Sequence, residues 1–125
     1  MLSDYPAVAT IPVTDMNRAK KWYAEKLGFE PVIDQPESVE FNAAGGTRFS
    51  LFPTRAESGA GHTVLSFEVD NVDKVVDELK SRGVVLEDYD MPDFKTVDGI
   101  AEIEGVKGGW FKDSEGNTLA VVQRT

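Results

Sequence analysis

The chain carries two kinds of hydrophobic pattern, and they follow each other in the same order twice. Apolar residues recur at helical spacing over 16–26 and again over 72–82, each time after a residue that can cap a helix, Asp15 or Asn71. Gly28 and Gly83 follow these stretches, as is common where helices end. The pattern predicts two helices.

Short stretches of alternating or β-branched residues surround both helices and are separated by glycine, proline and asparagine. The predicted strands span 7–13, 30–35, 39–42 and 47–52 around the first helix, and 62–69, 84–89, 99–103, 109–112 and 118–123 around the second. A connector with glycine and serine, 54–61, separates the two groups. The short piece 99–103 lies in a polar, glycine-containing insertion over 90–105. Apart from that piece, each half is predicted to run strand, helix and then three strands.

The two halves also resemble each other residue by residue. Val13-Thr14-Asp15-Met16 has the pattern of Val69-Asp70-Asn71-Val72, and 40–52 matches 110–122 at a constant offset. Internal repetition of this kind is typical of a duplicated structural unit. We predict a single α+β domain over 1–125, built from two tandem βαβββ modules at 5–56 and 62–125.

Length and composition narrow the class of protein. The chain has 125 residues, of which 41% are hydrophobic and 28% charged, enough for one globular core and unlike a disordered chain. No stretch is long and apolar enough to span a bilayer, and the first residues lack the pattern of a signal peptide. We expect a soluble, cytoplasmic protein.

Charge and residue types exclude several kinds of chemistry. The 22 acidic and 13 basic residues give a net charge of −9, which repels phosphate backbones and anionic lipid, so neither nucleic acid nor a membrane is an expected partner. The chain has no cysteine and one histidine, so it forms no disulfide, thiolate site or multi-histidine site by itself. A small molecule remains the expected partner.

Three segments carry a family resemblance. They are Ile-Pro-Val-Thr-Asp-Met at 11–16, Trp-Tyr-Ala-Glu-Lys-Leu-Gly-Phe at 22–29 and Trp-Phe-Lys-Asp-Ser-Glu-Gly-Asn at 110–117. With them the chain resembles the vicinal oxygen chelate superfamily of glyoxalases, bleomycin-resistance proteins and extradiol dioxygenases. The resemblance implies that each module curls its sheet into a cup, that the cups form a cavity and that the protein is a homodimer. Function varies within this superfamily and does not follow from the fold.

The resemblance also bears on metal binding. In metal-using members, histidine, glutamate and glutamine ligands occupy positions that fall here on Val8, Ser50, Val64 and Ala120. Two valines, a neutral hydroxyl and a methyl group do not supply the three or more convergent donors that a divalent ion needs. We expect no metal and no other cofactor.

Strand alternation assigns side chains to the face that the resemblance makes concave. The ligand-binding residues expected there are Val8, Thr10, Glu40, Ser50, Phe52, Val64, Ser66, Trp110 and Ala120, with Tyr89, Met91 and Phe94 from the region after residue 84. Trp110 should lie opposite Ala120 across the last hairpin, and Glu40 opposite Ser50 in the first half. The aromatic members are expected to form an apolar wall, the alternative being that they fill the cups as core.

Three residues are candidates for acid–base chemistry: Glu40, Glu68 and His62. A carboxylate inside a cavity can act as a base or as a counter-ion for a cationic ligand, but it can equally lie at a solvated strand end. His62 can lie at the mouth of the second cup, or it can form only local hydrogen bonds at the end of the connector.

Two functions follow from these alternatives. The first is a metal-independent binding protein similar to bleomycin-resistance proteins, which sequesters a hydrophobic, aromatic or cationic natural product. The second is a glyoxalase- or dioxygenase-like lyase or isomerase that uses Glu40, Glu68 or His62 on a small substrate. The residues at the four ligand positions favour binding.

Overall fold

The computed structural model of the chain describes residues 1–54, 59, 61–92 and 94–124, so most of the predicted connector lies outside the described residues. The first half contains β1 (Ala9–Val13), α1 (Met16–Leu27), β2 (Ile33–Gln35), β3 (Ser38–Asn42) and β4 (Arg48–Pro53). The second contains β5 (Thr63–Glu68), α2 (Val72–Ser81), β6 (Asp90–Met91), β7 (Phe94–Lys95), β8 (Ile100–Ile103), β9 (Val106–Lys112) and β10 (Thr118–Arg124).

The strands form one sheet of four strands in each half, with the same topology in both. The orders are β1-β4-β3-β2 and β5-β10-β9-β8, and the short strands β6 and β7 pair separately. In each sheet the first strand pairs in parallel with the last, and the other neighbours are antiparallel. The predicted α+β fold of two βαβββ modules is confirmed.

Both helices begin and end as their sequences predict. The Asp15 side chain accepts a hydrogen bond from the amide of Arg18 at 3.0 Å, and Asn71 accepts one from the amide of Lys74 at 3.1 Å. Helix α1 ends at Gly28, whose φ of 80° is the left-handed conformation that glycine adopts without strain. None of the helices in the described residues is long and apolar enough to cross a membrane.

Both sheets turn one face towards a single hydrophobic core. The Phe67 ring of the second sheet lies 6.2 Å from the Phe49 ring of the first, between centroids, and Trp22 of α1 stacks on Phe111 of the second sheet at 6.3 Å. Apolar side chains from the strands of both sheets and from the end of β5 join or contact this core, among them Phe49, Leu51, Leu65, Phe67, Val69, Leu119 and Val121. The opposite side of each sheet, which we call the outer face, lies away from it.

The turn between β9 and β10 is tied to the first module by buried hydrogen bonds. Asp113 Oδ2 accepts from the hydroxyl of Tyr23 at 2.8 Å and from Asn117 Nδ2 at 3.0 Å. Asn117 Nδ2 also donates to the carbonyl of Pro12 at 2.8 Å. Burial, with the nearby Asp113 charge, raises the pKa of Tyr23, so its hydroxyl keeps its proton and donates at neutral pH. The two modules are thereby held in one arrangement.

The prediction of a strand over 84–89 is wrong. Within that segment only Leu86 forms a bridge, an isolated one to Phe111. The amide of Tyr89 instead donates to the Thr96 hydroxyl at 2.8 Å, and Thr96 donates to Asp88 at 3.1 Å. Side-chain bonding of this kind competes with a sheet ladder, and here it turns the chain into the β6–β7 hairpin. Elsewhere β2 starts later than predicted and β9 starts earlier.

Candidate functional site

Strand pairing aligns a row of side chains on the outer face of the first sheet. Thr10 pairs with Ser50, Ser50 pairs with Glu40, and Glu40 pairs with Ile33. The predicted pairing of Glu40 with Ser50 is therefore confirmed. Thr10 is exposed, Ser50 and Glu40 are half-buried, and Ile33 is 40% exposed, so the row is open to solvent in the single chain.

Glu40, one of the candidate bases, forms an ion pair with Arg48. Its Oε1 lies 3.5 Å from Nε of Arg48, and the two side chains are 13% and 40% exposed. This contact gives Glu40 a structural role within the first sheet.

Two apolar residues of the first half, Phe52 and Val8, also belong to the expected ligand-binding residues. Phe52 pairs with Pro12 along the β1–β4 ladder and is 38% exposed. Val8 lies immediately before β1 and is half-buried. Phe52 thus presents an aromatic ring on the outer face, as the alternation predicted.

Three neighbouring rows of paired residues from β9, β10 and the β5 end of the sheet lie on the outer face of the second sheet. Phe111 and Leu119, which alternate with them, are buried in the core, so the rows face outward. From one end to the other the rows are Lys112–Thr118–Thr63, Trp110–Ala120–Ser66 and Gly108–Val122–Glu68. The predicted pairing of Trp110 with Ala120 is confirmed, and it places the indole in the middle of the face.

Three aromatic rings meet at the middle row. Trp110 lies 5.1 Å from Phe94 and 6.0 Å from Tyr89, and Tyr89 lies 5.4 Å from Phe94, between ring centroids. The indole meets both other rings nearly edge to face, at 68° and 77°. All three side chains are half-buried. Two residues of the predicted aromatic wall are therefore brought to Trp110, whereas Met91 pairs with Phe94 in the β6–β7 hairpin and is 51% exposed.

Burial also affects the polar end of this aromatic cluster. It raises the pKa of the Tyr89 hydroxyl, and the nearby carboxylate of Glu87 adds to the effect. The hydroxyl is therefore protonated at neutral pH and can donate a hydrogen bond at the edge of the cluster.

A glycine lies under the indole. A Cβ atom added to Gly108 would be 3.3 Å from Cη2 of Trp110, so the ring lies directly over the backbone of its own strand. Any larger residue at this position would push the ring away. The backbone thus defines how close the indole lies to the sheet.

The row beside Trp110 contains a polar pair that the sequence analysis did not assign to the site. Lys112 Nζ donates to Thr118 Oγ1 at 2.6 Å. Lys112 is exposed and Thr118 is 4% exposed. The strand alternation that assigned Trp110 and Ala120 to this face also assigns Lys112 and Thr118 to it. The pair could therefore have been predicted from the sequence.

Comparison with models of protein families identifies the family of this chain. The model described as Glyoxalase/Bleomycin resistance protein/Dioxygenase superfamily matches residues 6–121. The chain belongs to this superfamily. The resemblance of its three sequence segments is confirmed.

Solved structures of the superfamily share the fold at low sequence identity. The antibiotic-binding protein TnmS3 from Streptomyces sp. CB03234 is 23% identical, with 97% of this chain and 98% of that chain covered and a TM-score of 0.68. The fosfomycin resistance protein FosX from Listeria monocytogenes is 14% identical, covers 97% and 93%, and has a TM-score of 0.71. A superfamily member from Sphaerobacter thermophilus DSM 20745 is 27% identical, covers 96% and 97%, and has a TM-score of 0.70. None of the curated proteins compared with the chain matches it.

The four positions that hold metal ligands in metal-using members of the superfamily carry side chains with few donor atoms here. Ala120 is buried beside Trp110, Ser50 lies on the first sheet, and Val8 and Val64 have hydrocarbon side chains. Among residues 1–54, 59, 61–92 and 94–124, no three histidine, cysteine, aspartate or glutamate side chains come together as a metal site would require. These residues do not fit a divalent ion.

A register shift affects the start of β5. Thr118 pairs with Thr63 but Leu119 pairs with Leu65, so Val64 has no direct partner in β10. Strand alternation does not continue through such a bulge, and Val64 packs against the core cluster. Strand alternation therefore does not assign Val64, or His62 before it, to the outer face.

The remaining candidates lie around the rim of the second sheet. His62 is exposed, and its Nδ1 lies 3.2 Å from the carbonyl oxygen of Thr63, which is a local contact. Ser66 and Glu68 are exposed on the outer face. Glu40 lies on the other sheet, so the three candidate bases are distributed over two separate surfaces of the chain.

A separate cavity lies on the helix side, where the ends of α1 and α2 converge. It has a volume of about 220 Å³ and an apolar lining that includes Phe29, Phe67 and Phe111. Lys26 at its rim donates from Nζ to the carbonyl of Arg82 at 2.7 Å. Because cations near helix C-termini satisfy terminal carbonyls and oppose the helix dipole, the charge of Lys26 has a structural explanation.

Proposed function

We propose that this superfamily member binds an aromatic small molecule against Trp110 without a metal and thereby sequesters it, as a resistance-type binding protein does. The observation that carries the proposal is the cluster of Trp110, Tyr89 and Phe94 on an outer face that also carries the exposed residues Lys112, Ser66 and Glu68. Half-buried rings gathered on a surface outside the core are typical of ligand contacts, because they offer area for stacking.

Two further observations support binding. Ser66, in the same row as Trp110, has a small side chain and is exposed, so it leaves this end of the row open to a ligand. The fold is that of the antibiotic-binding protein TnmS3 and of the fosfomycin resistance protein FosX, and it is compatible with binding or resistance. Acid–base catalysis has less support, because Glu40 is paired with Arg48 and the three candidate bases do not share one surface.

The binding experiment uses the two tryptophans of the chain as separate reporters. Trp22→Phe leaves Trp110 as the emitting residue, and Trp110→Phe leaves Trp22, which is half-buried and packs against the core at Phe111. A panel of polycyclic antibiotics and aromatic metabolites is first ranked by the rise in melting temperature. A ligand from that panel should quench emission in Trp22→Phe and leave emission in Trp110→Phe almost unchanged.

The matched substitution tests the affinity. Trp110→Ala should weaken the same ligand by roughly 5- to 150-fold, the loss that corresponds to about 1–3 kcal/mol for an aromatic contact, while the variant stays folded. Unfolding of Trp110→Ala would assign the ring to the core. A folded variant that binds with unchanged affinity would show that the ligand lies elsewhere.

We also propose that a second copy of the chain covers the outer face. Ile33 and Phe52 are apolar, 40% and 38% exposed, and lie on the outer face of the first sheet, where a partner would bury them. Sedimentation at tens of micromolar should give a dimer, and Ile33→Glu should shift it towards monomer. Val85→Glu, at an apolar position that is 81% exposed outside the sheets, is the control and should leave the dimer intact. A wild-type monomer would contradict the proposal.

A further inference from the structure

The polar pair next to the aromatic cluster has hydrogen-bonding capacity beyond its internal bond. Lys112 Nζ donates one hydrogen bond, at 2.6 Å, to Thr118 Oγ1. An ammonium group carries three donors, and a hydroxyl that accepts a hydrogen bond still has its own proton to donate. The pair can therefore direct several donors towards one acceptor in front of the sheet.

The position of the pair relative to Trp110 follows from the strand pairing. Lys112 pairs with Thr118, and the next row on the same face pairs Trp110 with Ala120. Neighbouring rows on one face of a strand are roughly 7 Å apart, which is about the length of a fused two-ring aromatic body. A single small ligand can contact the indole with its rings and Lys112 with a substituent.

We propose that Lys112 and Thr118 select aromatic ligands that carry an anionic oxygen, a carboxylate above all. This inference rests on the proposed binding at Trp110 and adds the chemical class of the ligand. Lys112 supplies charge-assisted hydrogen bonds to the anion, and Thr118 holds the Lys112 ammonium group at the edge of the face. Because Thr118 is 4% exposed, its position is well defined by the surrounding structure.

Charges along the face give the ligand an orientation. Glu68 lies in the row on the far side of Trp110 from Lys112, because Val122 pairs with both Glu68 and Gly108. An anionic substituent is attracted at the Lys112 end, and the row that contains Glu68 offers it no lysine or arginine side chain. The net charge of −9 acts against anions at long range, but salt screens it beyond about 8 Å, so the direct contact decides the preference.

The test compares probes with one aromatic body and different charge. Naphthoate, naphthamide and naphthylmethylammonium are titrated into the Trp22→Phe variant, and quenching of Trp110 gives each dissociation constant. Naphthoate should bind about tenfold more tightly than naphthamide, as expected for a charge-assisted hydrogen bond, and the ammonium probe should be the weakest. The advantage of naphthoate should fall as salt is raised.

Matched lysine variants identify the group responsible. Lys112→Met should abolish the advantage of naphthoate while naphthamide binds as before. Lys107→Met removes a lysine from the same strand whose Nζ pairs with Asp73 of α2 at 2.9 Å, on the helix side, and should keep the advantage. Thr118→Val should reduce it in part.

The two proposals fail in different ways. If none of the three probes quenches Trp110, binding at the aromatic cluster is wrong, and the inference about Lys112 falls with it. If the probes bind but naphthoate has no advantage, or keeps its advantage in Lys112→Met, the role of Lys112 is overturned while aromatic binding stands.

Discussion

Arg18 and Glu115 meet across the boundary between the two modules, with Arg18 Nε 2.7 Å from Glu115 Oε2. Glu115 Oε1 also accepts from the amides of Thr14 and Asp15, at 3.0 and 2.9 Å. The carboxylate side chain is fully buried, whereas that of Arg18 is 54% exposed. A side chain from the β9–β10 turn thus holds the start of α1 in place.

This arrangement makes the free energy of unfolding depend on pH in the acid range. The hydrogen bonds, led by that from Arg18, lower the pKa of Glu115 from 4.5 to about 2 despite its burial. A carboxyl group with a lowered folded-state pKa stabilises the fold above its unfolded-state pKa. Glu115 should therefore contribute roughly 3 kcal/mol at neutral pH, which is lost as the pH falls from about 4.5 towards 2.

Urea unfolding at a series of pH values measures this contribution. Glu115→Gln should be less stable than wild type at neutral pH, and the difference should shrink in acid. Asp34→Asn is the control, because Asp34 is 53% exposed and its ion pair with Lys20 lies at the surface. A pH dependence in Glu115→Gln as steep as in wild type would contradict this account.

The second prediction concerns the buried hydrogen bond between Tyr23 and Asp113. Tyr23→Phe removes the donor 2.8 Å from Asp113 Oδ2 and leaves that oxygen with the hydrogen bond from Asn117. The variant should lose about 1–3 kcal/mol, since a buried carboxylate loses a partner. Tyr5→Phe is the control, because Tyr5 is 69% exposed and its hydroxyl can bond to water. Equal stabilities of the two variants would show that this bond contributes little.

The repeated pattern of the sequence was sufficient to predict both modules, the helix caps and the outward pairing of Trp110 with Ala120. These features depend on local periodicity, which strands and helices carry in their own residues. Phe94 and Tyr89 could be assigned to the aromatic cluster from composition, but their contacts come from a hairpin that the pattern did not predict.

The errors have a common physical cause. The segment 84–89 leaves the sheet because the Thr96 hydroxyl accepts a hydrogen bond from the Tyr89 amide. Val64 does not follow the alternation of its strand because β5 shifts register against β10. The first depends on a side chain that bonds to the backbone and the second on an irregular pairing of two strands, and local periodicity reports neither. The meeting of the two sheets at Phe49 and Phe67 likewise depends on how whole modules pack.

The third prediction concerns metal content. The superfamily's ligand positions hold Val8, Ser50, Val64 and Ala120, whose side chains lack the donors for a divalent ion. Purified, dialysed protein should contain far less than one equivalent of zinc, iron, manganese or nickel per chain by elemental analysis. Added zinc should not raise the melting temperature, because only ligands that bind the folded state do so. One equivalent of metal that survives dialysis would refute the prediction.

The fourth prediction uses two adjacent glycines that face opposite sides of β9. A Cβ on Gly108 would lie 3.3 Å from the Trp110 ring on the outer face. A Cβ on Gly109 would lie 3.1 Å from the Gly99 carbonyl oxygen and 3.3 Å from both Leu86 and Val76, on the core side. Gly108→Ala should therefore shift the indole, and Gly109→Ala should strain the core.

The two variants should affect different measurements. Gly108→Ala should weaken aromatic ligands several-fold while the free energy of unfolding changes by less than about 1 kcal/mol, because the indole can move outward and alanine restricts the unfolded chain. Gly109→Ala should lower the free energy of unfolding by about 1–3 kcal/mol, since the carbonyl of Gly99 belongs to the backbone and moves less easily than a side chain. Its folded fraction should bind the ligand as wild type does. If Gly108→Ala is the more destabilised variant, the Trp110 ring is part of the core packing, and binding at the aromatic cluster loses its main support.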